Sequence, residues 1–75
     1  MDARERLKEA AAELNACIAA GKIRATQKVV QRLHGSVWDV VKEIQSQQPV
    51  DEPLLADAME LFMDIRFGRQ TTKFV

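Results

Sequence analysis

The sequence has few of the residues on which strands, disulfides and metal sites depend. Its 75 residues include no Tyr, and aromatic residues make up only 5% of the chain. No segment sustains the apolar–polar alternation of a half-buried β-strand. With one Cys and one His, the chain offers neither an internal disulfide nor a zinc site built from Cys and His ligands. These absences favour an all-α fold that depends on its hydrophobic core.

Motifs for catalysis are also lacking. The three glycines do not form a phosphate-binding loop, and no acid–base or nucleophile–base set stands at a recognisable spacing. His34 has no identifiable catalytic partner, and the carboxylates of Asp57, Glu60 and Asp64 are expected to be solvated. We therefore expect a protein that is not an enzyme and that uses no cofactor, no metal and no small-molecule substrate.

Long hydrophobic runs are missing as well. No stretch approaches the roughly 18 apolar residues that mark a transmembrane helix. The first residues, Met-Asp-Ala-Arg-Glu, lack the apolar region of a signal peptide. A lone Cys without an export signal fits a reducing compartment. We expect a cytoplasmic protein that does not interact with membranes.

The formal net charge is zero, but the charges are unevenly distributed. Residues 1–35 carry seven Lys/Arg and four Asp/Glu, residues 36–64 carry one Lys and seven acids, and residues 65–75 carry three Lys/Arg and no acid. The stretch 22–34 is basic and contains no Asp or Glu. A local basic face of this kind can attract a phosphate backbone even when the whole chain is neutral.

Helical periodicity is the main positive signal. Hydrophobic residues make up 47% of the chain and charged residues 29%, as in folded globular proteins. Apolar residues recur at spacings of three and four, which predicts a compact bundle of three to four helices in one domain over about residues 1–68, with a loose tail over 69–75. The predicted helices cover about 2–20, 26–33, 36–46 and 51–67.

Capping residues support these boundaries. Gly21 is placed to end the first helix, and Gly68 the last, because glycine adopts positive φ without strain. Thr26, Ser36 and Asp51 are each placed to cap the N-terminus of a following helix.

The second and third predicted helices form a helix-turn-helix at about residues 26–46. His34-Gly35 is the predicted turn, and Ser36 opens the predicted recognition helix. In such a unit, the N-terminal residues of the second helix enter the major groove of DNA.

A family resemblance covers about residues 5–66. It is carried by small and apolar residues in the run Gly21-Lys22, Ala25-Thr26, Val30, Leu33, Gly35-Ser36, Val40 and Ile44, and by the continuation from Pro49 to Phe62. These residues resemble the N-terminal DNA-binding domain of the KfrA family of plasmid proteins. The resemblance implies a dimer that binds DNA in transcription regulation or plasmid maintenance. Ala25 departs from the family pattern, which has Pro there.

The residues expected to contact duplex DNA come from the connector and the two helices. Basic side chains such as Arg32 would neutralise phosphates, and Ser36, Asp39 and Lys42 would lie nearest the bases. The predicted DNA-binding set is Lys22, Arg24, Thr26, Gln27, Lys28, Arg32, Ser36, Asp39 and Lys42.

The alternative is a small helical factor that regulates or inhibits a partner protein through direct contact. Its support is the acidic middle of the chain and the Met-rich last helix, together with a Trp that lies off the valine stripe of its helix. Large exposed aromatic residues are frequent anchors of protein interfaces. The predicted partner interface is Trp38, Met59, Phe62 and Met63. Cys17 lies on an apolar stripe and is expected to be a buried structural thiol.

Overall fold

The computed structural model describes residues 2–21 and 27–75 of the chain. These residues form three α-helices and no β-strand: α1 is Ala3–Ala19, α2 is Gln27–Gln45 and α3 is Glu52–Phe67. The predicted all-α bundle is confirmed, with three helices. Within the two described ranges, no helix combines the length and the apolar character that crossing a membrane requires.

The ends of α1 and α3 follow from local capping. The Asp2 carboxylate accepts a hydrogen bond from the backbone N–H of Glu5 at 2.8 Å, and the Asp51 carboxylate accepts one from Leu54 N–H at 3.1 Å. Each bond satisfies an N–H that has no partner within the helix. Gly21, with φ of 68°, follows the end of α1, and Gly68, with φ of 65°, ends α3. Thr26, the other predicted cap, lies outside the described residues.

The predicted turn at His34-Gly35 is wrong, because α2 runs through it without interruption. Gly35 has helical backbone, and Ser36 is an exposed residue in the middle of the helix rather than an N-cap. The physical reason is the apolar stripe, which continues across the glycine: Leu33 and Val37 are both buried. One glycine in a helix interior costs only about 1 kcal/mol relative to Ala, which burial of this stripe offsets. The described residues therefore contain no helix-turn-helix.

The core lies between the three helices, and α2 packs against both of the others. A short connector over 46–51 joins α2 to α3, which makes these two helices antiparallel neighbours. All three helices contribute buried apolar side chains: Leu7, Ala10, Ala11 and Leu14 from α1; Leu33, Val37, Val40, Val41 and Ile44 from α2; Leu54, Ala58, Leu61, Phe62 and Ile65 from α3. Cys17 is only half-buried, because it lies near the end of α1, so its predicted full burial is wrong.

The C-terminal segment is packed onto the bundle instead of forming the loose tail that the sequence predicts. Thr71 is 2% exposed, and its backbone pairs with the side-chain amide of Asn15 on α1. Lys73 lies 3.7 Å from a carboxylate oxygen of Asp57 and 3.6 Å from one of Glu60. The segment therefore links α1 to α3.

Candidate interaction surface

The predicted DNA-binding residues that the structure describes lie on the exposed side of α2. Lys22, Arg24 and Thr26 lie outside the described residues, and Gln27 is the first residue of α2. The remaining five side chains fall within an arc of about 120° around the helix axis, at about 100° per residue. These five residues are exposed: Lys28, Arg32, Ser36, Asp39 and Lys42.

Acidic partners balance much of the charge on this side of α2. Arg32 forms a salt bridge with Glu13 of α1, and Lys42 lies 3.5 Å from the carboxylate of Asp39. One turn after Asp39, a carboxylate oxygen of Glu43 lies 2.5 Å from a guanidinium nitrogen of Arg6 and forms a salt bridge with it. The basic stretch in the sequence does not produce a uniformly positive surface among the described residues, because side chains from α1 add acids to it.

A groove of about 260 Å³ separates α1 from α2 on this side. Its floor is apolar, and its walls carry acids and the two arginines of the salt bridges, Arg6 and Arg32.

Within the described part of the chain, no group of three His, Cys, Asp or Glu side chains is arranged to hold a metal ion. Asp64 is buried and pairs with Arg69 at 3.1 Å, so the prediction that its carboxylate is solvated is wrong.

Two of the four residues of the predicted partner interface, Trp38 and Phe62, pack against each other between α2 and α3. The Trp38 and Phe62 rings are 5.3 Å apart between centroids, with an interplanar angle of 43°. His34 was predicted to lie in a turn but is part of α2. Its ring packs against the Phe62 ring, with the two centroids 4.0 Å apart. Trp38 is 42% exposed, and Met59 and Met63 are each 36% exposed. Phe62 is buried, whereas the other three residues of the predicted interface are exposed.

Trp38, Met59 and Met63 belong to a longer exposed surface, which we call the α2–α3 face. Its residues recur at spacings of three and four, so they lie along one side of each helix. On α2 they are Lys28, Gln31, Gly35, Trp38, Lys42 and Gln45, all exposed; on α3 they are Glu52, Leu55, Met59, Met63 and Arg66, of which only Leu55 is partly buried. The sequence-based prediction did not include six of these residues, although their spacing from Trp38 and Met59 could have identified them: Gln31, Gly35, Gln45, Glu52, Leu55 and Arg66.

Four of the eleven residues of the α2–α3 face are charged: Lys28, Lys42, Arg66 and, at the start of α3, Glu52. Lys42 is paired with Asp39, which lies beside the face on α2. Phe67, which is 60% exposed, extends the apolar row of α3 and stacks under the guanidinium of Arg69 at 5.3 Å. The face therefore combines the apolar side chains of α3 and Trp38 with polar and charged side chains, most of them on α2.

No protein-family model, no curated protein and no solved structure matches this chain.

Proposed function

We propose that this protein is a small helical factor that regulates a partner protein by binding it through the α2–α3 face. The observation that carries the proposal is the exposure of the large side chains of Trp38, Met59 and Met63, with Trp38 packed against Phe62 of α3. Contiguous exposed apolar side chains mark interaction sites on soluble proteins. Trp and Met are enriched at protein interfaces, and Trp is frequent among the residues that dominate binding energy.

Polar replacement of both methionines tests the proposal. Met59→Gln together with Met63→Gln keeps side-chain size while removing apolar surface, and both positions are on the exposed side of α3. We expect a ligand selected by the wild-type protein from a displayed peptide library to bind this variant at least about tenfold more weakly, a loss of about 1.4 kcal/mol. Affinity is measured by calorimetry with purified components.

The matched control is Lys8→Gln, which changes an exposed residue of α1. This variant should bind the selected ligand as the wild type does, and thermal melts should show all three proteins folded. Equal binding by the double Met variant would refute the α2–α3 face as the binding surface.

Binding of duplex DNA, with the dimeric regulatory role that the KfrA resemblance implies, is the second candidate. The observation in its favour is the exposure of Lys28, Arg32 and Lys42 along one side of α2. It ranks second because acids pair with Arg32 and Lys42 and because α2 is continuous.

Gel retardation with mixed-sequence duplex DNA separates the two candidates. At about 50 mM salt, even non-specific phosphate binding is strong enough to be seen. We expect no retardation. A shift that is lost in a Lys28→Glu, Arg32→Glu variant would instead support DNA binding.

A further inference from the structure

Residues 71–75, which we call the strap, follow the end of α3 and lie against α1 and α3. Thr71 is buried, and Phe74 is partly buried against the hydrophobic core. Val75, by contrast, is 83% exposed. Phe74 is therefore the apolar anchor of the strap, and polar contacts with the two helices complete its attachment.

Asn15 of α1 recognises the backbone of the strap. Its side-chain amide donates a hydrogen bond to the carbonyl of Thr71 at 3.1 Å and accepts one from the N–H of the same residue at 2.9 Å. The N–H and the carbonyl of Thr71 thus point to the same side, as those of one residue do in a β-strand. Because this contact uses main-chain groups alone, an extended peptide from another molecule can make it in the same way.

Two carboxylates of α3 hold the cation of the strap. The ammonium nitrogen of Lys73 lies 3.7 Å from a carboxylate oxygen of Asp57 and 3.6 Å from one of Glu60. The two acids lie on one side of α3, because they are three residues apart. We call Asn15, Asp57 and Glu60 the seat of the strap. The seat therefore binds main-chain groups together with a cationic side chain two residues further along the chain.

The strap begins beyond the contacts that end α3. The N–H of Arg69 donates to the carbonyl of Asp64 at 2.9 Å, and the Arg69 guanidinium lies 3.1 Å from the Asp64 carboxylate. Gln70, which connects this helix end to the strap, is exposed. A segment that is held by surface ion pairs and a few hydrogen bonds can open while the core stays folded. The strap can thus leave its seat without unfolding α3.

We propose that the seat is a binding site for an extended peptide with a cationic side chain, and that its ligand is the strap of this chain, which one copy donates to the seat of a second copy. Within one molecule the strap already occupies the seat. Exchange between two molecules forms the same contacts again, so it requires no new complementary surface.

Protein concentration decides between the two arrangements. A short connector gives the strap an effective concentration of about millimolar at the seat of its own molecule. Exchange is therefore favoured at high protein concentration, or when the strap of one molecule is impaired. The seat residues are not part of the α2–α3 face, so this inference does not depend on the proposed function.

A variant with an impaired strap and an intact seat tests ligand binding in the full chain. Thr71→Pro removes the N–H that bonds to Asn15, and Lys73→Glu places a carboxylate beside the acids of α3. Fluorescence anisotropy measures binding of a labelled peptide with the wild-type sequence of residues 70–75. We expect a Kd below about 1 mM, and at least about tenfold weaker binding to the wild-type protein, because its own strap competes.

Isotope labelling locates the bound peptide. Asn15 is the only Asn of the chain, so Asn-selective ¹⁵N labelling gives a single side-chain amide to follow, and we expect the peptide to shift its signals. The same peptide carrying Lys73→Glu should bind at least about fivefold more weakly, because the carboxylates of α3 repel it.

Two further substitutions in the impaired-strap variant form a matched pair. Asn15→Ala removes the amide of the seat and should weaken peptide binding at least about tenfold. Gln31→Ala removes an exposed amide from α2 and should leave peptide binding unchanged.

A mixture of two variants tests exchange between copies. Asn15→Ala has an intact strap and an impaired seat, whereas Thr71→Pro, Lys73→Glu has an impaired strap and an intact seat. Analytical ultracentrifugation of an equimolar mixture at about 1 mM should show much more dimer than either variant gives alone.

Four results would overturn the inference. They are no peptide binding by the folded impaired-strap variant, unmoved amide signals of Asn15, equal binding of the Glu-containing peptide, and no more dimer in the mixture than in either variant alone. Circular dichroism establishes that each variant is folded. If proline unfolds the chain, Lys73→Glu alone serves as the impaired-strap variant in the same experiments.

Discussion

Asn15 holds the C-terminal segment through both ends of its side-chain amide. Its nitrogen donates to the backbone carbonyl of Thr71 at 3.1 Å, and its oxygen accepts from the Thr71 N–H at 2.9 Å. Thr71 is buried, so its backbone groups have little access to water. The amide thus satisfies both of them, as a neighbouring strand would.

Removal of this amide should loosen the segment and destabilise the protein. Asn15→Ala leaves two backbone groups of Thr71 without partners, at a cost of about 1–3 kcal/mol. Urea denaturation followed by circular dichroism measures the change. Gln31→Ala removes an exposed amide from α2 and should change stability by no more than about 0.5 kcal/mol. Equal stability of the two variants would contradict the role given to Asn15.

The sequence carries no local signal for this contact. The two residues are 56 positions apart, and capping and periodicity describe neighbours within a few residues. A prediction from such patterns leaves residues 69–75 as a tail. By contrast, the exposed positions of Trp38 and Met59 are recognisable in the sequence, because each residue departs from the buried stripe of its own helix.

At the scale of elements, the sequence predicts α1 and α3 well and α2 poorly. Asp2, Asp51 and Gly68 act at the ends of their helices through short-range contacts. The His34-Gly35 pair resembles a helix end in sequence, but tertiary packing keeps the backbone helical at these two residues. Burial of Leu33 and Val37 on either side of the pair stabilises one continuous helix.

Proline at position 35 tests the continuity of α2. Gly35→Pro removes a helical N–H and introduces a ring that clashes with the preceding turn, which costs about 3 kcal/mol or more in a helix interior. We expect a large loss of helical circular dichroism and of Tm. Gly35→Ala is the matched control, because it keeps the N–H and should remain folded. Near-wild-type stability of the proline variant would show that the chain turns at this position.

At the scale of the molecule, one small core joins all three helices. A core of this size gives only about 3–5 kcal/mol of net stability. The salt bridges at the surface involve exposed partners such as Arg32 and Glu13, and exposed pairs contribute little. Apolar burial therefore accounts for most of the stability.

Truncation of one central core residue should accordingly unfold much of the population. Leu14 is fully buried, and Leu14→Ala typically costs about 2–5 kcal/mol. Thermal melts followed by circular dichroism should show a Tm lower by about 8 °C or more, with a substantial unfolded fraction at 25 °C. Ile18→Ala, at a partly buried position on the same helix, should stay mostly folded. A cooperative, wild-type-like melt of the Leu14 variant would show that the core is not the main source of stability.

We propose that this protein acts through the α2–α3 face. A chemical-shift map of the isotope-labelled protein, titrated with a library-selected ligand, tests it most directly. We expect the largest shifts at Trp38, Met59 and Met63, with little change along the exposed side of α1. Shifts confined to the groove between α1 and α2, or shifts at Arg32 and Ser36 that appear only with duplex DNA, would contradict this proposal.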